Sequence, residues 1–181
     1  MMKNNKLSAQ KYFKTRVRKL PLFECLINTK YKEIGLAQVF ISRKQPSGKN
    51  AYALFLLDIF CLGLKDSVYS FNIDMDEYKD LTNQLFGNEP FNSIDIIEAH
   101  NLIYGTIDCA EEIGFKPHKS FAISEYILNP DLIDDGIDDI ELGKDGKPMY
   151  VSGSFDNVNQ IIKTLERTVG KGNFEFISEV S

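Results

Sequence analysis

Proline and glycine are sparse, at 6 and 12 of 181 residues, and there is no tryptophan. So low a share of chain breakers sets aside fibrous and disordered classes and leaves an ordinary globular composition. Long apolar runs are also missing. The best candidate is interrupted by Asp58 and Lys65, short of the roughly 18 residues a membrane span needs. Cysteine is scarce and unpaired: Cys25, Cys61 and Cys109 are odd in number, far apart and set in apolar sequence. That pattern fits buried free thiols in a reducing compartment, because a disulfide frame or a zinc knuckle needs closely spaced pairs. Acids are absent from residues 1–19, yet no apolar segment follows the bases there, so the stretch does not read as a secretory signal. A cytoplasmic location without a membrane partner is the expectation.

What is present points to one domain over residues 1–181, at 43% hydrophobic and 26% charged. Its net charge of −5 conceals a polarity. Lys3, Lys6, Lys11, Lys14, Arg16, Arg18 and Lys19 form an all-basic opening, and the remaining chain holds 14 bases against 26 acids. Ala9, Tyr12, Phe13, Val17 and Leu20 recur at helical spacing within it. The reading is a basic amphipathic helix over residues 1–20, capped at Ser8 and stopped by Pro21, ahead of a core over 21–177. Such a helix either docks on the core with a solvated basic face or serves as an electrostatic footprint for a polyanion.

After Pro21 the period shortens to that of strands. Residues 22–27 form a short apolar run, and residues 36–44 place Ala37, Val39 and Ile41 opposite Leu36, Gln38, Phe40 and Ser42. The loop QPSGKN returns the chain as a hairpin into AYALFLLDIFC, residues 51–61, read as a central strand covered on both faces. Gly63 ends it, and residues 66–73 supply a fourth strand.

Asp58 is the one charge in residues 51–61. A carboxylate there must be hydrogen-bonded, paired or placed at a wet strand end. The structural expectation is an ionised Asp58 held by Lys65, Arg43 or backbone amides. The functional alternative makes Asp58 and Asp66 metal ligands or acid–base groups, with Lys65 as their electrostatic partner.

Residues 75–87 suggest a short helix, and a longer one follows over 92–114, with Asn92 or Ser93 as its cap and Gly114 at its end. Ile96, Ala99, Ile103, Ile107, Ala110 and Ile113 make its core stripe. His100, Tyr104, Asp108 and Glu111 follow a neighbouring line, a polar flank that would border a cleft and, in a functional reading, hold a metal or move a proton. The line lacks the paired histidines and intervening glutamate of a helical zinc motif. HKSFAISEYILNP adds another short helix, stopped at Pro130. Residues 131–141 carry six acids, but position twelve of an aligned calcium loop is Leu142, so an acidic linker is expected instead. Asp145–Gly146 signals a hairpin, Ser154 or Asp156 the cap of a last helix, and FEFI a final strand. Neither GKDGK nor GKGN has the spacing of a phosphate-binding loop.

The segments LLDIFCLGLKD, AHNLIYGTIDCAEEIGFKPH, GKDGKPMYVSG and VGKGNFEFI resemble a family of uncharacterised bacterial proteins, some of which carry a cysteine-rich zinc motif at the C-terminus. No such cysteine cluster occurs in these 181 residues, and the resemblance implies no particular activity. The fold expected is α+β: a mainly antiparallel sheet with a basic N-terminal helix, a helical middle segment and a C-terminal hairpin–helix–strand. The function expected is an intracellular interaction module, without a cofactor, that engages nucleic acid or a nucleoprotein through Lys11, Lys14, Arg16, Arg18 and Lys19. The alternative is a metal-dependent phosphodiesterase or nuclease. In that alternative Asp58, Lys65, Asp66 and Glu111 would be catalytic, and His100 and Asp108 would bind a divalent metal.

Overall fold

A computed structural model describes residues 8–87, 89–132 and 142–178. The chain is α+β. Five antiparallel strands run in the order β4-β3-β2-β1-β5, with β1 at Leu22–Asn28, β2 at Leu36–Lys44, β3 at Asn50–Asp58, β4 at Gly63–Ile73 and β5 at Phe91–Ser93. Alternation decides the two faces. Cys25, Ile27, Ala37, Val39, Ile41, Ala53, Phe55 and Leu57 point to one side and are buried, where they meet Ala99, Ile103 and Ile107 of α4 (Ile96–Glu112) and Phe13 and Val17. Fully burying a Val, Leu, Ile or Phe side chain contributes about 1.5–3 kcal/mol, so this layer is the main store of stability.

The opposite face is covered only in part. Helix α3 (Met75–Phe86) starts with a reciprocal Asp74/Glu77 cap and lays Tyr78 and Phe86 over Phe40. Tyr78 Oη donates to Glu24 and accepts from Ser42 at 2.9 Å, which fixes the helix on β1 and β2. Beyond the reach of α3, Leu54 and Leu56 are half-buried and Val68 is exposed. Strand β3 is therefore covered fully on one face only, and it ends at Asp58 rather than Cys61, which corrects the expectation for residues 51–61.

Three boundaries differ for physical reasons. Asn92 and Ser93 do not cap α4, because they pair with Ile27 and Leu26 of β1 as strand β5; the cap is Asp95, which accepts from Ile97 N and forms a capping box with Glu98. The cap of α6 (Val158–Thr168) is Asn157, whose side chain accepts from Gln160 N, since Asp156 is committed elsewhere. Last, β6 (Met149–Val151) pairs with β7 (Glu175–Ile177) in parallel, with α6 between them. The Asp145–Gly146 turn does form, at φ 53° and 76°, but it closes a single Lys144–Lys147 bridge. Lys3 and Lys6 of the basic opening, and residues 133–141, most of the acidic run, lie outside the described residues.

Candidate functional site

Helix α1 (Ala9–Arg16) is capped by Ser8, which accepts from Lys11 N at 3.3 Å, and continues as a 3-10 turn at Val17–Lys19. Phe13 and Val17 are fully buried, and Phe13 packs on Tyr69 at 4.7 Å between ring centroids. These two anchors turn Lys11, Lys14, Arg16, Arg18 and Lys19 outward, and all five are exposed. Lys14 and Arg18 lie over the ring of Tyr126, and Arg18 Nε donates to the Leu128 carbonyl. Among the described residues, no acid forms an ion pair with any of the five.

Asp58 closes β3 at the turn into β4, and its Oδ1 accepts from Phe60 N at 3.0 Å and from Cys61 N at 2.9 Å. Burial pushes its carboxyl above the ordinary aspartate range, opposed by the Cys61 and Phe60 amides and then by the Lys65 charge. Arg43 is not its partner. That guanidinium is held at the Leu20 and Ile127 carbonyls, at 2.8 and 3.0 Å. Nor does Lys65 bond it directly. In the β3–β4 register Leu57 faces Leu64 while Leu56 faces Asp66, so Lys65 is the extra residue of a bulge. The bulge aims its ammonium at Asp156, 3.5 Å away. Asp156 Oδ2 also accepts from Gly153 N at 2.8 Å and from Tyr150 Oη at 3.2 Å. Asp58, Phe60, Lys65 and Gly153 thus border one cavity of about 290 Å³.

Asp66 belongs to a different network. It takes Ser67 N at 2.7 Å, Ser120 Oγ at 3.1 Å and His118 Nδ1 at 3.1 Å. Ser67 N also reaches Ser120 Oγ at 2.9 Å, and His118 N donates to the Leu64 carbonyl at 3.0 Å. Those are outward-facing groups of an edge strand, which otherwise offer a template for another chain; the loop bearing His118 and Ser120 clasps the edge. Aspartate, histidine and serine sit together here, but the same ring nitrogen meets both Asp66 and Ser120, so the relay order of a nucleophilic triad is not present.

On α4 the proposed line separates. His100 is fully buried, with Nε2 accepting from Asn129 N at 3.2 Å and Nδ1 without a hydrogen-bond partner among the described residues. Burial and the nearby Arg43 charge hold its pKa down to about 4. Asp108 and Glu111 are exposed, and eleven residues of helix put Glu111 about 16 Å along the axis from His100. His100 is therefore core and not a polar flank. Among the described residues, no three His, Cys, Asp or Glu side chains are grouped so as to hold a metal ion. Of the candidate catalytic set, Asp58 and Lys65 share the cavity beside Gly153.

Tyr150 and Ser120 join these networks with no periodic or motif signal in the sequence, and Asp156, which the sequence offers only as a helix cap, joins them through Lys65. Among the described residues, no helix is long and apolar enough to cross a membrane. No protein-family model matches the chain, and neither a curated protein nor a solved structure shows significant similarity to it.

Proposed function

We propose that the protein is an interaction module that engages nucleic acid or a nucleoprotein through α1 and the turn after it. One observation carries the reading: Lys11, Lys14, Arg16, Arg18 and Lys19 are exposed together, with no ion-paired acid among the described residues, on a chain of net charge −5. The anchors Phe13 and Val17 fix the backbone of the strip before binding, so that only the side chains are left to order. Tyr126, packed on the core, holds Lys14 and Arg18 over its ring and so steadies two of the five cations. The likeness of motifs to a family of bacterial proteins brings no activity to this reading. Fluorescence anisotropy with labelled single- and double-stranded oligonucleotides tests it. Binding that survives alanine replacement of Lys11, Lys14, Arg16 and Arg18 together contradicts it.

A further inference from the structure

We propose that a second surface, the cleft between the β4 bulge, the turn after α4 and the start of α6, binds a small organic phosphate with an apolar body. The cleft has a volume of about 470 Å³, within the range of small-molecule sites. Its ionisable lining is Lys65, Lys116 and His118, with no carboxylate among the lining residues, on a chain whose net charge is −5. Cationic groups on the wall of a cleft attract anions to it, and Lys116 brings a charge with no ion-paired acid among the described residues.

The cations are positioned from behind. Lys65 is lifted out of strand register by the bulge and steadied by Asp156 at 3.5 Å, which leaves other N–H groups of the ammonium for a ligand. His118 has its Nδ1 engaged by Asp66 at 3.1 Å and Ser120 at 2.8 Å, so Nε2 is the ring nitrogen left to meet one. Neither Asp66 nor Asp156 lines the cleft. Carboxylates that orient cationic side chains from outside a site are what a built site needs. Lys116, the remaining N–H groups of Lys65 and the His118 ring offer several donors, which suit the three oxygens of a phosphate better than the two of a carboxylate. Leu62, Phe115 and Ile161 give the wall an apolar part that fits an apolar body.

The test is a titration of the isotope-labelled full chain with phenyl phosphate, followed by amide NMR. Saturable shifts confined to residues 62–65, 114–118 and 160–164 are expected, with inorganic phosphate and benzoate each binding at least about tenfold more weakly. Lys116→Ala, His118→Gln and Lys65→Met should each weaken phenyl phosphate about tenfold or more. Gln160→Glu places a negative charge at an exposed position of the wall, so it should do the same with the fold intact. The double variant Lys11→Ala/Arg16→Ala should leave phenyl phosphate affinity unchanged while weakening oligonucleotide binding, which separates failure of this site from failure of α1. Absence of saturable shifts overturns the proposal. So does equal affinity for benzoate or inorganic phosphate, or indifference to both Lys116→Ala and Gln160→Glu.

Discussion

The backbone amide of Cys61 donates to Asp58 Oδ1 at 2.9 Å, beside the Phe60 amide at 3.0 Å on the same oxygen. An acid inside an apolar run is thereby a local turn device: a side-chain oxygen gathers two buried N–H groups where the chain reverses between β3 and β4. Its raised pKa shows that the charge itself is a burden and the acceptor oxygen is the useful part.

Asp58→Asn, which keeps that oxygen, should match or exceed the wild type in stability. Asp58→Ala strands two buried donors and should lose about 2–4 kcal/mol. Denaturant unfolding checks both. A loss for Asn equal to that for Ala would show that the charge, through Lys65, holds the turn.

His100 gives the fold an acid-sensitive point. Its pKa lies below the ordinary value of 6.5, at about 4, so between those values the unfolded chain binds the proton and the folded chain does not. The stabilisation is complete above pH 6.5 and is lost as pH falls toward about 4, by up to about 3 kcal/mol. Asp58, with its raised pKa, acts in the opposite sense: its contribution is present below the ordinary value of 3.8 and is lost as pH rises through its folded pKa. Urea unfolding across that range should slope downward toward acid, and His100→Gln should flatten the slope. An unchanged slope in the variant would place the acid sensitivity elsewhere.

Two glycines with left-handed backbone should respond very differently to alanine. At Gly63, φ 71°, a Cβ would stand 2.5 Å from the Ala110 Cβ on α4, whereas at Gly48, φ 84°, it meets nothing within 4 Å. Both substitutions carry backbone strain of about 1–2 kcal/mol. Gly63→Ala should also force β4 off α4 and cost a further 1–3 kcal/mol, roughly. Thermal unfolding that ranks the two equally would contradict this packing.

Much of the fold was legible because it rests on periodicity. Ala37, Val39 and Ile41 against Leu36, Gln38, Phe40 and Ser42 state the two faces of β2 outright, and Ile103 and Ile107 state the buried face of α4. Asn92 and Ser93 misled because they carry cap chemistry but meet β1, a pairing made across more than sixty residues of sequence. His100 looked like one end of a polar line, yet a helix packed against a sheet buries more than its narrowest stripe. The candidate site was legible only as single residues. Lys65 reaches Asp156 through a bulge, and a bulge is a property of two strands' register, which no single stretch of sequence declares.

The basic strip should be dispensable for folding, unlike its anchors. Phe13→Ala should cost about 3–5 kcal/mol. Lys11→Ala and Arg16→Ala should each stay within about 0.5 kcal/mol, while Lys14→Ala or Arg18→Ala should lose about 0.5–1 kcal/mol through Tyr126. Denaturation midpoints decide this, and a large loss at Lys11 or Arg16 would assign the strip to folding.

The slope of log affinity for a nucleic-acid probe against log salt tests the central claim most directly. If α1 is the binding surface, the wild-type slope is steep, and alanine at Lys11, Lys14, Arg16 and Arg18 reduces its magnitude by about 3–4, at roughly 0.9 for each duplex DNA phosphate that is no longer neutralised. A slope that the fourfold replacement leaves unchanged, in a variant whose circular dichroism shows it folded, would contradict the account.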